Sequence, residues 1–513
     1  MKKLVKYLII NIRNFWNDIA AVQEEKSIKY NDLIKSATML SIELNNYDNY
    51  TNTNFEKNNI AICASNSIEW IIAFLGSIFN NSTIILIPSL QSHSRISHIL
   101  SVSNCNILIT DLKDEEIKSL KFRGIVIPTK YLRSYNTEQT LIPKEVKDKI
   151  SIRQIYRMII KNFQMKRIGP DIIIYSPNDL KKIKISFSEI LILLKELKNK
   201  EIFESKTEYL SYPTFTYNYV IGLLLPLISN TRIIINSSII SHYNIQYNIE
   251  KYKPPVIILN AYRFLQLYFN FVKSEPFKTK EYLRSLWKFL YYFPFTQKNI
   301  PSINNLIIKE RLSILFPNIE KLIILNSSIG LYMEKLLKKI NFPYTVTYGT
   351  VETCGIATYS DPSNFKLESV GKSITGNVTV IDNIIILHRI LIKFNTPLDI
   401  SLDDLGIKDK DGNIYFICRT SDYNTQSKRI EEVLRHIPFI SECVLYKSLI
   451  PNENPYLLIN IDYDQVENAE LTDSREVLDI INNFIKKLSI PISKVIIWKS
   501  EFPRDSYERI QKF

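Results

Sequence analysis

The chain has 513 residues, 45% of them hydrophobic and 23% charged, a globular balance that excludes a disordered or fibrous polymer. At roughly 100–200 residues per domain, this length makes two to four structural units. The net charge of +13 points either to an anionic partner (nucleic acid, a membrane surface, a phosphate-rich cofactor) or to composition alone. Composition is the favoured account: Ile, Asn, Lys, Tyr and Phe abound, glycine is only 11 residues, and no arginine-rich patch or RNA-binding signature occurs, so a nucleic-acid partner is not expected.

Taken in order, residues 1–45 have apolar residues at helical spacing, and "MKKLVKYLIINIRNFW" reads as an amphipathic first helix. Its apolar core is too short for a signal peptide and Arg13 interrupts it. "NNIAICAS" is a buried strand, "SIEWIIAFLGSIFNN" a helix capped by Ser67, "STIILIPS" a strand, "SRISHILSVSN" a helix and "NILITD" a strand. That alternation predicts βαβ units and a parallel sheet. Residues 112–168 are less regular, and "DIIIYS" restarts the pattern. Strand–helix pairs then recur in "TEYLSYPTFTYNYVIGLLLPLISNTRIIIN", "PPVIILNAYRFLQLYFNFV" and "EKLIILNSSIGLYMEKLLKKI", so a second α/β unit is expected over roughly 170–350. From "ESVGKSITGNVTVID" onward short alternating strands predict a β-rich piece. After it, "RIEEVLRHI", "ISECVLYKSL", "PYLLINIDY", "REVLDIINNFIKKLS" and "ISKVIIWKS" form a small α+β unit with helix, strand, strand, helix and strand.

The expected fold is therefore α/β, with a large N-terminal domain over 1–418 and a small α+β C-terminal domain over 419–513. The longest apolar runs fall short of the roughly 20 residues that span a bilayer, so no transmembrane segment is expected and peripheral membrane contact stays open. Five cysteines are scattered singly, which argues against a disulfide framework and against zinc and fits a reducing cytoplasm. The five histidines are dispersed and expected to be surface or satisfied core residues.

Five segments in this order resemble the adenylate-forming superfamily of acyl-CoA synthetases, luciferases and peptide-synthetase adenylation domains. They are "SNSIEWIIAFLGSIFNNSTIILIPS", "YGTVE", "ESVGKSITGNVTVID", "DDLGIKDKDGNIYFICRTSD" and "EFPRDSYERI". Their spacing is most similar to fatty-acyl or other carboxylate-CoA ligases. The resemblance implies activation of a carboxylic acid, fatty or aryl, with ATP and Mg²⁺. The acyl-adenylate then passes to a thiol of CoA or a carrier protein, and the C-terminal domain rotates between the two steps.

By the same resemblance, Tyr348 would stack on adenine, Gly349 would let the backbone approach the ligand, and Thr350 would face phosphate. Glu352 would hold Mg²⁺, a hard ion suited to carboxylate oxygen. Asp404 would accept from both ribose hydroxyls, Arg419 would add a second ribose contact, and the hinge would fall at Ser421 and Asp422. Ser328 in "LNSSIG" would stand at a small position of the adenine and acyl pockets, and the region around 211–230 would line the acyl pocket. In the tail, Arg509 stands where the superfamily has its catalytic lysine, with Glu508 in place of glycine and Asp505 in place of threonine.

Other departures concern loops. Where the superfamily has a Ser/Thr/Gly-rich phosphate loop, this chain has "IIIYSPNDLKKIKISFSE", with no glycine and with Pro177, which lacks an N–H. Ser176, Lys181 and Lys182 are its remnant, either attracting phosphate by charge or forming a solvated basic turn. Val351 replaces a threonine, Leu402–Asp403 replaces Thr-Gly before Asp404, and the segment after the hinge, "DYNTQSKRIEEVL", lacks its glycines. Two functions follow as expectations: an acid–thiol ligase, or a catalytically impaired member that binds a ligand or partner.

Overall fold

A computed structural model describes residues 2–50, 59–133, 154–155, 157–159, 171–176, 180–236, 242–274, 302–325, 329, 331–362, 365–391, 396–419, 434, 440–446, 456–461, 474–487 and 492–498. Two sheets carry most of the chain. The first has six strands in the spatial order Ile125–Pro128, Ile107–Thr110, Asn59–Cys63, Thr83–Ile87, Asp171–Tyr175 and Lys182–Ser186. All neighbours are parallel except the last pair, a hairpin. The second has nine strands, in the order Lys372–Ser373, Thr358–Tyr359, Tyr344–Tyr348, Lys321–Leu325, Val256–Asn260, Glu208–Ser211, Arg232–Ile235, Ile19–Gln23 and Lys26–Lys29.

The strands are near-continuous apolar runs because both faces are covered. In Val256–Asn260, Val256 and Ile258 join a core shared with the six-stranded sheet, whereas Ile257 and Leu259 join a second core on the opposite face. The shared core holds helices Lys2–Ile12, Tyr30–Tyr50, Ile68–Phe79 and Phe187–Asn199, with Trp70 and Phe215 ring centroids 5.4 Å apart. The opposite core is covered by helices Ala261–Ser274, Ser302–Leu315 and Leu331–Lys339. Ser67 caps the helix Ile68–Phe79 as expected, its Oγ accepting from Trp70 N at 3.0 Å.

Four antiparallel strands, Val378–Ile381, Ile384–Leu391, Thr396–Lys408 and Ile414–Arg419, form the β-rich piece. Beyond it, Ile440–Tyr446, Tyr456–Ile461 and Lys494–Ile497 pair into a small sheet. Helix Ser474–Lys487 covers it with Val477, Ile481 and Ile485, spaced four apart.

Two expectations are corrected. The first 45 residues are not helical throughout: the strands Ile19–Gln23 and Lys26–Lys29 intervene, and Ala21 pairs with Ile233 at the far edge of the nine-stranded sheet. The segment Asp171–Tyr175 does not open the second unit. It extends the first sheet, with Ile84, Ile85 and Leu86 opposite Ile172, Ile173 and Ile174.

Turns in this glycine-poor chain frequently place other residues in the left-handed region. Lys121, Leu180, Glu201, Lys206 and Lys253 have φ of 51°, 55°, 49°, 64° and 44°. Each β-carbon there crowds a carbonyl oxygen, at a cost of about 1–2 kcal/mol.

Candidate nucleotide site

The parallel strands of the nine-stranded sheet end together at one edge, the place where open α/β sheets bind ligands. The strand Tyr344–Tyr348 reaches that edge and enters a tight turn. A single 3₁₀ turn, Val351–Thr353, is followed by Cys354 and Gly355 at φ of 61° and 83°. The chain then returns as Thr358–Tyr359, antiparallel to Tyr348 and Thr347. Thr353 closes the turn twice: its Oγ1 accepts from Thr350 N at 2.8 Å and donates to Thr350 O at 3.0 Å. Gly355 N adds a third bond to Thr350 O, also at 2.8 Å.

The turn itself requires glycine at 349. A Cβ on it would lie 2.4 Å from Gly355 O and 2.5 Å from Ile356 N, so the turn's own backbone excludes a side chain there, whatever ligand approaches.

The four-stranded sheet delivers the second half of the site. Tyr348 Oη donates to Asp404 Oδ2 at 2.6 Å, joining residues 56 apart in the sequence, both almost fully buried. Phe416 lies against the Tyr348 ring, with centroids 5.7 Å apart at 28°. Arg419 stands directly opposite Asp404 in the strand register, so the two expected ribose contacts share one rung of the sheet. Phe416 was not singled out in the sequence. The alternation of "IYFICR" places it on the same strand face as Ile414, and that was the available signal.

The phosphate-loop remnant is a short hairpin connection between Asp171–Tyr175 and Lys182–Ser186. Ser176 N donates to Lys181 O at 2.9 Å, and Leu180 N donates to Ser176 O at 3.2 Å. Arg95 ties the hairpin to the helix His93–Val102, its Nη2 donating to Ser176 O at 2.9 Å. The strand Lys182–Ser186 passes beside the Val351–Thr353 turn. Lys181 and Lys182 are exposed, and Lys184 is paired with Asp171 at 2.7 Å. Burial holds the Tyr175 phenol above its ordinary pKa, and burial with Asp361 pushes Tyr359 up to about 12, so neither phenol is a base near neutral pH.

A clamp outside the expected set fixes the loop entering the segment around 211–230. Asn66, buried at the end of the six-stranded sheet, donates from Nδ2 to Pro213 O at 2.9 Å and accepts from Phe215 N on Oδ1 at 2.9 Å. The helical segment that follows is itself buried, with Phe215 and Tyr219 against Trp70 and Phe74. Of the dispersed histidines, His388 is satisfied across strands, its Nδ1 2.6 Å from Asp399 and its Nε2 2.5 Å from Thr379.

Ser328, Ser421, Asp422, Glu508 and Arg509 lie outside the described residues, as does the side chain of Arg419. Among the described residues no group of three or more His, Cys, Asp or Glu is arranged to hold a metal. Glu352 offers a single half-buried carboxylate, a donor set that suits Mg²⁺ held jointly with phosphate oxygens. No described helix is long and apolar enough to cross a membrane.

No protein-family model and no curated protein sequence matches the chain. Solved structures do. An anthranilate CoA ligase in complex with anthranoyl-AMP has a TM-score of 0.69 at 12% identity, over 99% of this chain and 95% of that one. O-succinylbenzoate coenzyme A synthetase from Bacillus subtilis, in complex with ATP and magnesium ion, has 0.67 at 13%, over 98% of each chain. The Mycobacterium tuberculosis fatty acyl CoA synthetase has 0.61 at 14%, over 100% of this chain and 97% of that one. The fold of this chain is that of the adenylate-forming ligases.

Proposed function

We propose that the chain binds ATP at the carboxyl edge of the nine-stranded sheet and activates a carboxylic acid, fatty or aryl, as an adenylate for transfer to a thiol of CoA or a carrier protein. The observation that carries this reading is the Tyr348–Asp404 hydrogen bond. It draws a ring and a carboxylate from two sheets to one point, beside a turn bearing Glu352. Structures with this fold have been solved with ATP and magnesium and with an acyl-adenylate.

Attack of a carboxylate on a phosphate joins two anions, so positive charge must be supplied. Mg²⁺ held through Glu352 would neutralise phosphate charge. Lys181 and Lys182, exposed beside the hairpin, would add positive charge to the same end. Asp404 would accept from the ribose hydroxyls, with Arg419 beside it in register. Arg509 would swing in on the C-terminal unit, which we place at 419–513 with its hinge at Ser421 and Asp422. The free thiols of Cys63, Cys105, Cys354 and Cys443 fit a reducing cytoplasm.

The test is ATP–pyrophosphate exchange with Mg²⁺ and a panel of fatty and aryl acids. Exchange with at least one acid, abolished by Asp404→Ala, is expected. No exchange beside an active ligase control overturns the reading. A second reading, a binding protein without turnover, is favoured by two features: the Tyr348 ring already packs on Phe416, and the phosphate hairpin has no glycine. Tight ATP binding without exchange selects it. If the site binds ATP, Arg509→Lys with Glu508→Gly raises the exchange rate, because a compact ammonium replaces a broad guanidinium.

A further inference from the structure

Helices Lys2–Ile12 and Phe187–Asn199 lie side by side on the surface and run in the same direction. Lys195 Nζ sits 5.9 Å from the Tyr7 ring centroid, and one turn further on Lys198 Nζ donates to Asn11 Oδ1. The inner faces supply Leu4, Val5, Leu8, Ile9, Leu193, Leu194 and Leu197 to the core. The outer face is unusual in two ways. It exposes Ile10 at 42% and Ile192 at 52%, where an ordinary solvated face would be polar. On and just beyond the same helices stand exposed Lys2, Lys3, Lys6, Arg13 and Lys195, against the exposed acids Glu196 and Glu201. The helix Lys2–Ile12 carries no acidic residue at all.

We infer that this face docks on a membrane surface rich in anionic phospholipid. Exposed apolar side chains on helices rich in exposed cations match a lipid interface, where the cations meet headgroup phosphates and the isoleucines enter the acyl boundary. Neither helix is long and apolar enough to cross the bilayer, so the contact is peripheral. A nucleic acid would use the same lysines and leave the two isoleucines in water. The chain's excess positive charge alone would make every basic surface equivalent.

Co-sedimentation of the full chain with vesicles of phosphatidylcholine, with and without 30 mol% phosphatidylglycerol, tests this. Binding to the anionic vesicles alone is expected. Lys3→Gln with Lys6→Gln should weaken it about 25-fold, taking about fivefold per cation. Ile10→Ser with Ile192→Ser should weaken it about tenfold. Lys335→Gln with Lys338→Gln, on the exposed face of a different helix, should leave it unchanged. The thermal midpoint of each variant checks that the fold is intact. Failure to bind, equal loss in the Lys335/Lys338 control, binding that ignores the isoleucines, or preferential binding to poly(U) RNA each overturns the inference.

Discussion

The Tyr348–Asp404 contact can be weighed independently of any ligand. Its 2.6 Å length and near-complete burial make it costly to break, since stranding one buried partner costs about 1–3 kcal/mol. Tyr348→Phe removes the donor while keeping the ring on Phe416, so the loss should be about 2–3 kcal/mol. Asp404→Ala strands a buried hydroxyl and should cost a similar amount. The double variant leaves neither partner behind and should be less destabilised than the sum of the two, by a coupling of about 2 kcal/mol. Urea unfolding followed by far-ultraviolet circular dichroism, on the transition that melts the nine-stranded sheet, measures all four corners of the cycle. A coupling below about 0.5 kcal/mol would refute the claim that this bond ties the two sheets at the site.

Gly349→Ala forces a Cβ into backbone, and overpacking of that kind costs at least about 2 kcal/mol, whereas Gly376→Ala meets open space and loses only about 1 kcal/mol to its φ of +73°; denaturation midpoints rank the two. Burial pushes the Cys63 and Cys105 thiols up to about 12, so neither reacts with iodoacetamide at pH 8 until urea unfolds the chain; peptide mapping that finds label on either in the native protein would contradict this. The Lys366 ammonium, 2.8 Å from Asp409, together with Asn413 holds the Asp409 carboxyl well below the usual carboxylate range. A depressed carboxyl stabilises the fold above its unfolded value near 4 and loses that contribution as pH falls further, so Lys366→Met should show a shallower acid-side loss below about pH 4 in a pH series of melting temperatures.

The interior strands were legible because "IAIC", "TIILI" and "VIILN" are buried on both faces and announce it by composition. "IAAVQ" was not, since two alanines and a glutamine carry little strand preference and the segment is held by its distant partner at Ile233 and Ile234. Nor could "DIIIY" declare its sheet: an isoleucine-rich strand pairs equally well with either, and the choice is made by long-range register. At the site, Tyr348, Glu352 and Asp404 were visible as motif residues. The hydrogen bond between two of them, the Phe416 contact and the Asn66 clamp depend on elements far apart in the chain. Gly349 was visible as a motif residue, but a motif names a glycine without naming the atoms that exclude its side chain.

The left-handed lysines, glutamate and leucine at the turns have a consequence for how this molecule holds its shape. Turn residues that favour their own geometry form early and guide the strands that follow. Lys253, Glu201 and Leu180 oppose theirs, each by about 1–2 kcal/mol. Holding these bends therefore draws on the burial of the surrounding core and not on local preference. The pairing of Ile19–Gln23 with Arg232–Ile235 is non-local, and contacts of that kind slow folding. The opposed bends also leave a reserve of stability that glycine, placed at Glu201 or Lys253, would release without touching the site.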